Sequence, residues 1–490
     1  MWERSRYDLV CIGSGPAGQR AAVQAAKLGK RVAVVEKHRA VGGVCIETGT
    51  IPSKTFREAV RRFYSRPGLE TSDIGAGLTV RPTMAQLVEH VGRVVEREIR
   101  TVQGALERND VEVVRGRASF VDPHTVEVEA PDGHRRLETA SILIATGTKP
   151  GQPQGATVDG EIVVTSDNVL GIRRLPRTMA VVGAGVIGIE YASMFAALGV
   201  QVTVIDQRAR PLEFLDHEIT DELIHQLRKS DVTLRCGESV DRIDVVSAGD
   251  RKGLIRLDSN KHLVADVILI AAGRVGATDD LRLDAVGLEA DARGRLVVDA
   301  HYRTVVPHIY AAGDVIGFPA LAATSSEQGR LAACHMFGVA AEPMGAHFPV
   351  GIYAIPEVSM VGATEEDLTR AKVPYETGVA RYKEIARGQI CGDDSGMFKM
   401  IFHRDTTRLL GVHCIGSSAT ELVHVGQAVL ALGGGLDYFL TTVFNYPTLA
   451  ECYKVAAFNA ANKLALVRSL TAGVAEPSPR SAPVMEPGGA

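Results

Sequence analysis

Six glycines and two acids carry the first chemical signal. Gly13, Gly15 and Gly18 stand in Gly-Ser-Gly-Pro-Ala-Gly, and Glu36 follows 18 residues after the last of them. Gly183, Gly185 and Gly188 stand in Gly-Ala-Gly-Val-Ile-Gly, with Asp206 at the same spacing. The two sets are offset by 170 residues, both at the first glycine and at the acid. In such a triplet the first glycine allows a tight turn. The second lets backbone approach a pyrophosphate, and the third lets helix and strand pack closely. The helix that opens there presents N–H groups and partial positive charge to phosphate oxygens. The acid suits a ribose hydroxyl. Arg208 and Arg210, just after Asp206, suit a 2′-phosphate or are ordinary solvated loop charge.

The elements around both triplets read as the motif requires. Tyr7–Ile12 is an apolar strand, Gln19–Leu28 favours helix, Gly29 is a candidate helix stop, and Arg31–Val35 is a second strand. Thr178–Val182, Ile189–Leu198, Gly199 and Gln201–Ile205 repeat that order. Ser141–Lys149 and Val267–Arg274 also echo each other, each an apolar strand running into Ala-Thr-Gly or Ala-Ala-Gly. Two dinucleotide sites in one chain call for two dinucleotides, a flavin in one and a nicotinamide in the other. Between Lys54 and Val111 the pattern is helical, with an amphipathic stretch over Ala85–Val102. Val305–Ile316 reads as a short strand into Gly313-Asp314. From about residue 346 short strands appear (Phe398–His403, Leu409–Ile415), then helices near Ala419–Leu432 and Thr448–Leu466. Residues 471–490 are Pro-rich and free of aromatics, and read as a disordered tail.

Composition narrows the class. The chain has 490 residues, enough for two to four domains, and its 46% hydrophobic and 23% charged residues are those of a globular protein. A net charge of −4 leaves no electrostatic footprint for nucleic acid and no polybasic membrane anchor. No apolar run reaches the roughly 18 residues of a spanning helix, and no separate signal segment precedes the first strand. The expected location is the cytoplasm. Seven scattered cysteines contain no Cys-x-x-Cys, so neither a zinc ribbon nor a disulfide framework is indicated. His403, His413 and His424 show no ligand spacing, and no metal is expected.

The segment from Gly42 through Gly43, Cys45, Gly49, Thr50, Pro52 and Ser53 to Lys54 resembles the flavoprotein disulfide reductases. That family includes glutathione reductase and dihydrolipoamide dehydrogenase. The resemblance runs from Tyr7 to about Leu466. It is carried by Gly-Ser-Gly-Pro-Ala-Gly at 13, Ala-Thr-Gly at 145, Gly-Ala-Gly-Val-Ile-Gly-Ile-Glu at 183, Ala-Ala-Gly-Asp at 311 and Tyr-Pro-Thr-Leu-Ala-Glu at 446. It implies an α/β fold with two Rossmann-like dinucleotide-binding domains, for FAD and NAD(P), and a C-terminal α+β dimerisation domain. The boundaries are 1–155 and 277–345 for FAD, 156–276 for NAD(P), and 346–470 for the dimer contact.

Two departures bear on function. The family carries a second cysteine before Pro-Ser-Lys, and here that position is Thr50. One sulfur cannot form the redox disulfide. The family's C-terminal His is here Tyr446, with Glu451 five residues on. A phenol, ordinarily titrating near pH ~10, is a poor proton shuttle. The flavin and nicotinamide machinery is intact while both halves of the thiol machinery are gone. That combination looks like the soluble pyridine nucleotide transhydrogenases, which share the Gly49–Lys54, Ala311–Gly329 and Phe444–Thr448 stretches. The implied reaction is NADPH + NAD⁺ ⇌ NADP⁺ + NADH, with hydride relayed through flavin N5.

The resemblance also distributes roles. Gly13, Gly15, Gly18, Glu36, Gly43, Thr146, Gly147 and Asp314 would hold FAD, Asp314 also being a candidate helix N-cap. Lys54 and Glu190 match an ion pair beside flavin N5. Thr50 would sit near the ring, either as filler for the missing sulfur or as a hydrogen-bonding group, and Cys45 reads as an inert thiol. Gly183, Gly185, Gly188 and Gly273 would hold the nicotinamide nucleotide, Asp206 the NAD(H) ribose, and Arg208 and Arg210 the phosphate of NADP(H). Expected partners are a second copy of the chain, as a homodimer, and small nicotinamide nucleotides. A diaphorase or quinone reductase remains the main alternative. A dihydrolipoamide dehydrogenase and a non-catalytic nucleotide sensor are weaker ones.

Overall fold

The computed structural model describes residues 4–64, 82–130, 133–151, 155–248 and 250–471. The tail expected over 471–490 lies outside them apart from Thr471, which ends the last helix. Residues 65–81 of the helical reading also lie outside. Among the described residues two compact units form. One runs to Phe348 and includes Ile352–Glu357, and the other holds Pro349–Gly351 and the chain from Val358.

The first unit contains two sheets of the same design. In the first, strands are ordered Glu112–Arg115, Val32–Glu36, Arg4–Ile12, Gly133–Ile144, Thr125–Ala130, Arg117–Asp122, and Ile309–Ala311 also pairs with Gly133–Ile144. Arg4–Ile12 is parallel to both neighbours, with Ile12 opposite Val35 and Ile144. Its side chains alternate between two apolar layers. Val10 and Ile12 enter one, Leu9 and Cys11 the other. A strand covered on both faces reads as a near-continuous apolar run, as Val32–Val35 does, and Val32–Glu36 is buried at every position with its one acid at the end.

In the second sheet Thr233–Cys236, Gln201–Asp206, Thr178–Val182, Val267–Ile270 and Val163–Thr165 lie in that order, all parallel. Ile205, Ala180 and Ile268 pack against a three-stranded antiparallel sheet of Val240–Ala248, Asp250–Leu257 and His262–Ala265. Each fully buried Val, Leu or Ile contributes about 1.5–3 kcal/mol here.

Both glycine triplets open helices as read, Pro16–Lys27 capped by Gly15 and Val186–Ala197 capped by Gly185. Each starts three residues before the helix-favouring run, because Pro16 and Val186 already occupy the first turn. Gly29 and Gly199 take positive φ one residue past the caps, Leu28 and Leu198. The amphipathic stretch is longer than its apolar spacing, Met84–Glu107, and Thr83 and Gln86 form a capping box at its start.

In the second unit the five-stranded sheet is ordered Val350–Ile352, Val358–Gly362, Leu409–Ile415, Met397–His403, Tyr375–Arg381. Phe398, Phe402, Phe439 and Tyr453 fill the layer beneath it, under helices Ala419–Ala431 and Glu451–Thr471. No described helix is long and apolar enough to cross a membrane.

Candidate functional site

The first triplet is a turn that only glycine can make. Gly13 has φ 107°, and a Cβ there would lie 2.4 Å from the Ala145 carbonyl oxygen. A Cβ on Gly18 would lie 1.9 Å from the Gly13 oxygen. Gly15 faces open space, as backbone approaching a phosphate must. Gly43 packs on this loop, and a Cβ there would stand 2.9 Å from Gly15 Cα.

Glu36 is buried at the end of its strand. One of its oxygens accepts from the Ser14 N–H at 3.1 Å and from the Ser14 hydroxyl. Among the described residues the other accepts only the His38 N–H, at 2.9 Å. Ser14 Oγ in turn accepts from the Gly42 N–H at 2.8 Å. Beside the loop, Thr146 Oγ1 is buried without a hydrogen-bond partner among the described residues. A buried hydroxyl left unsatisfied costs about 1–3 kcal/mol, so a bound polar group fits there. The open Gly15, the polar Glu36 and this hydroxyl together suit an adenine dinucleotide.

Asp314 is the first residue inside a short 3₁₀ turn, Asp314–Ile316, whose cap is Gly313. The next helix is capped by Leu321, so Asp314 caps neither. Burial pushes its carboxyl up, while the Ser325 hydroxyl and Arg274 pull against that shift.

Lys54 and Glu190 are 136 positions apart and meet, with Nζ 3.0 and 2.9 Å from the two carboxylate oxygens. Lys54 lies on helix Thr50–Tyr64, and Glu190, 2% exposed, on Val186–Ala197. The Tyr353 N–H also donates to Glu190, at 2.8 Å, and Lys54 Nζ stands 5.1 Å from the centre of the Tyr353 ring. The stretch from Tyr353 to Glu357 is stapled further. Ile355 N–H donates to Ser193 Oγ, Arg57 Nε to the Ala354 carbonyl, and Arg57 pairs with Glu357 at 2.8 Å.

The second triplet copies the first. A Cβ on Gly183 would lie 2.4 Å from the Ala271 oxygen, and one on Gly188 1.9 Å from the Gly183 oxygen. Asp206 accepts the Ala184 N–H at 2.6 Å and the Arg208 N–H at 2.8 Å, as Glu36 accepts those of Ser14 and His38. Here, though, a guanidinium closes the acid. Arg208 Nε and Nη2 reach one carboxylate oxygen each, at 2.9 and 2.7 Å. Burial alone would push the Asp206 carboxyl up, but the bonds from Arg208 and Ala184 hold it below the usual carboxylate range. Arg210 is engaged elsewhere, with Asp221 and the His217 carbonyl on the following helix.

Several contributors had no place in the sequence reading. Ser14 hides inside the first triplet. Arg274, directly after Gly273, donates to Thr148 Oγ1 and the Thr148 carbonyl, to Ser166 Oγ and to Asp167 Oδ1. It thereby joins the ends of the two Ala-x-Gly strands, where Thr148–Pro150 and Arg274–Gly276 pair. The repeated Ala-x-Gly was the available signal for Arg274. Tyr353 and Arg57 had none, because their partners are remote in sequence.

Two stretches match a described family. Pyridine nucleotide-disulphide oxidoreductase covers residues 7–329, and its dimerisation domain covers 348–457. The chain belongs to this family.

Its curated relatives narrow the comparison. It is 51% identical over 462 residues to the soluble pyridine nucleotide transhydrogenase of Mycobacterium bovis (strain BCG / Pasteur 1173P2), covering 94% of this chain and 98% of that one. It is 43% identical over 472 residues to the protein of the same name from Vibrio cholerae (strain ATCC 39541 / Classical Ogawa 395 / O395), covering 95% and 100%. Among solved structures it resembles the HOCl-induced flavoprotein disulfide reductase RclA from Escherichia coli, at TM-score 0.83, 26% identity, and 92% and 99% coverage. LpdA from Mycobacterium tuberculosis gives TM-score 0.84, 26% identity, and 93% and 99% coverage.

Within this oxidoreductase fold the thiol positions stand as follows. Cys45 lies on the short helix Gly43–Glu47, and Thr50 opens the next helix. Burial pushes the Cys45 thiol up, with a hydrogen bond from Thr50 acting against it. A thiol held protonated is a poor nucleophile. All seven cysteines are free. In the second unit Tyr446 is 67% exposed, and Glu451 begins the last helix with one carboxylate oxygen buried and, among the described residues, without a hydrogen-bond partner.

Proposed function

We propose that this oxidoreductase is an FAD-dependent, Si-specific NAD(P)⁺ transhydrogenase that moves hydride from NADPH to NAD⁺ and back, working as a homodimer. The observation that carries the reading is a duplicated dinucleotide scaffold with Thr50 where a second sulfur would be needed. The names of relatives matched over nearly the whole chain support it.

When bound, FAD would supply the redox chemistry, serving as hydride acceptor and donor between successive nicotinamides. Gly13, Gly15, Gly18, Gly43, Thr146 and Gly147 would cradle it, with Glu36 on the ribose and Asp314 on the ribityl side. Gly183, Gly185, Gly188 and Gly273 would hold each nicotinamide nucleotide in turn. Lys54 sits between Glu190 and the Tyr353 ring, fixing one positive charge in place without an unpaired buried carboxylate. Holding both reactants in register is the protein's main task, since no nucleophile or metal is required.

The test is steady-state reduction of a thionicotinamide analogue of NAD⁺ by NADPH. Parallel double-reciprocal lines are expected, together with a yellow protein lacking the long-wavelength band of a thiolate–flavin pair. Disulfide reduction that Cys45→Ser abolishes would overturn the proposal. Turnover with quinones but not with the analogue would favour a quinone reductase instead.

A further inference from the structure

The two acids differ in what covers them, and the difference points to how one site can take two nucleotides. Among the described residues, Glu36 has one oxygen that accepts only the His38 N–H. Asp206 has Arg208 across both oxygens. A ribose with a free 2′-hydroxyl needs the acid as acceptor and must share it with the guanidinium. A ribose 2′-phosphate is repelled by the acid and needs the guanidinium for itself. Arg208 is placed to serve either case. Its side chain is 38% exposed while that of Asp206 is 5% exposed, so the arginine can turn away and the acid cannot follow. It also lies against the phosphate turn, with Nη2 4.0 Å from where a Gly185 Cβ would be. Arg210 is tied to Asp221 and the His217 carbonyl and does not compete for Asp206.

We propose that Arg208 is a two-position latch. Closed on Asp206, it neutralises the acid. Opened onto an adenosine 2′-phosphate, it exchanges one anionic partner for another, and the acid then keeps the Ala184 and Arg208 backbone N–H groups. Both nucleotide classes work against the same Asp206–Arg208 pair, one by sharing the acid and the other by drawing off the guanidinium, so the latch evens out their affinities. This rests on the assignment of the second triplet to nicotinamide nucleotides.

The latch has a signature that a simple phosphate contact lacks, since removing Arg208 shifts the two nucleotide classes in opposite directions. The experiment is calorimetric titration of the FAD-loaded protein with adenosine 2′,5′-bisphosphate and, separately, with 5′-ADP. Arg208→Ala is expected to weaken the bisphosphate about 10- to 150-fold, the loss of a charge-assisted bond. It should tighten 5′-ADP about two- to fivefold, the strength of a partly exposed ion pair no longer competing for the acid. Asp206→Asn should reverse both signs. Arg208→Gln repeats the test if the alanine variant does not fold. Weaker bisphosphate binding with 5′-ADP unchanged or weakened would overturn the latch and leave the nucleotide assignment standing. Wild-type binding of neither probe would overturn the assignment itself.

Discussion

The two dinucleotide-binding halves share a backbone and differ in what they place on it. Each has an acid at a strand end, accepting one N–H from inside the glycine triplet and one from two residues beyond the acid itself. In the first half the residue inside the triplet is Ser14, whose hydroxyl also binds Glu36. In the second it is Ala184, and the space goes to the Arg208 guanidinium. The first half has Thr146 with a buried unpartnered hydroxyl, where the second has Ala272. The first is thus lined with short, fixed polar groups suited to one tightly held ligand. The second puts a long, half-exposed cation at its rim, suited to ligands that come and go. A shared backbone turn recurs in both halves, and a few side chains set them apart.

The largest expected effect comes from forcing a Cβ into each turn. Gly18→Ala and Gly188→Ala meet the same 1.9 Å clash with a carbonyl oxygen. Each should cost about 3 kcal/mol or more in its own half. Gly18→Ala should yield colourless protein. Gly188→Ala should stay yellow and lose nicotinamide nucleotide binding by more than about a hundredfold. Flavin absorbance and titration with NADH read both, and a colourless Gly188→Ala would show that the halves are not separable.

Next in size is the pair that joins them. Lys54→Met leaves Glu190 buried with only the Tyr353 N–H beside it. A loss of about 3 kcal/mol in stability is expected, measured by denaturant unfolding. A loss below about 0.5 kcal/mol would mean the pair is solvated.

Ser14→Ala tests the difference directly. It removes the hydroxyl shared by Glu36 and Gly42. FAD affinity should fall about fivefold, roughly 1 kcal/mol, with no change for NADH. Equal losses for both would remove the distinction drawn between the acids.

The smallest effect is in pH. The Asp206 carboxyl is lowered in the folded chain, against burial, by Arg208 and Ala184. Its contribution is therefore present above the unfolded value of about 3.9 and disappears as pH falls through the folded value. Unfolding midpoints of Asp206→Asn should fall less steeply than wild type below about pH 4 and run parallel to it between about pH 5 and 7.

Much of this architecture was legible in the sequence because glycine spacing and strand hydrophobicity are local. Leu409–Ile415 coincides with its apolar run to the residue, and both triplet helices begin within three residues of their helix-favouring runs. The strands Val240–Ala248 and Asp250–Leu257 were not legible, since their charged residues mask the alternation that buries Ile243 and Ile255. Lys54 and Glu190 were named only through resemblance, because nothing within a few residues of either specifies a partner 136 positions away. Tyr353 escaped for a similar reason, since its backbone N–H makes the bond to Glu190 and any residue but proline offers one.

On the proposed mechanism hydride passes between nicotinamides without a redox disulfide. Its most direct test is an anaerobic half-reaction. The protein is bleached with one equivalent of NADPH, freed of nucleotide, and mixed with NAD⁺. Full return of the yellow flavin with about one NADH formed per flavin is the predicted result. Flavin that stays bleached with NAD⁺ but recovers with a disulfide such as lipoamide would contradict the account.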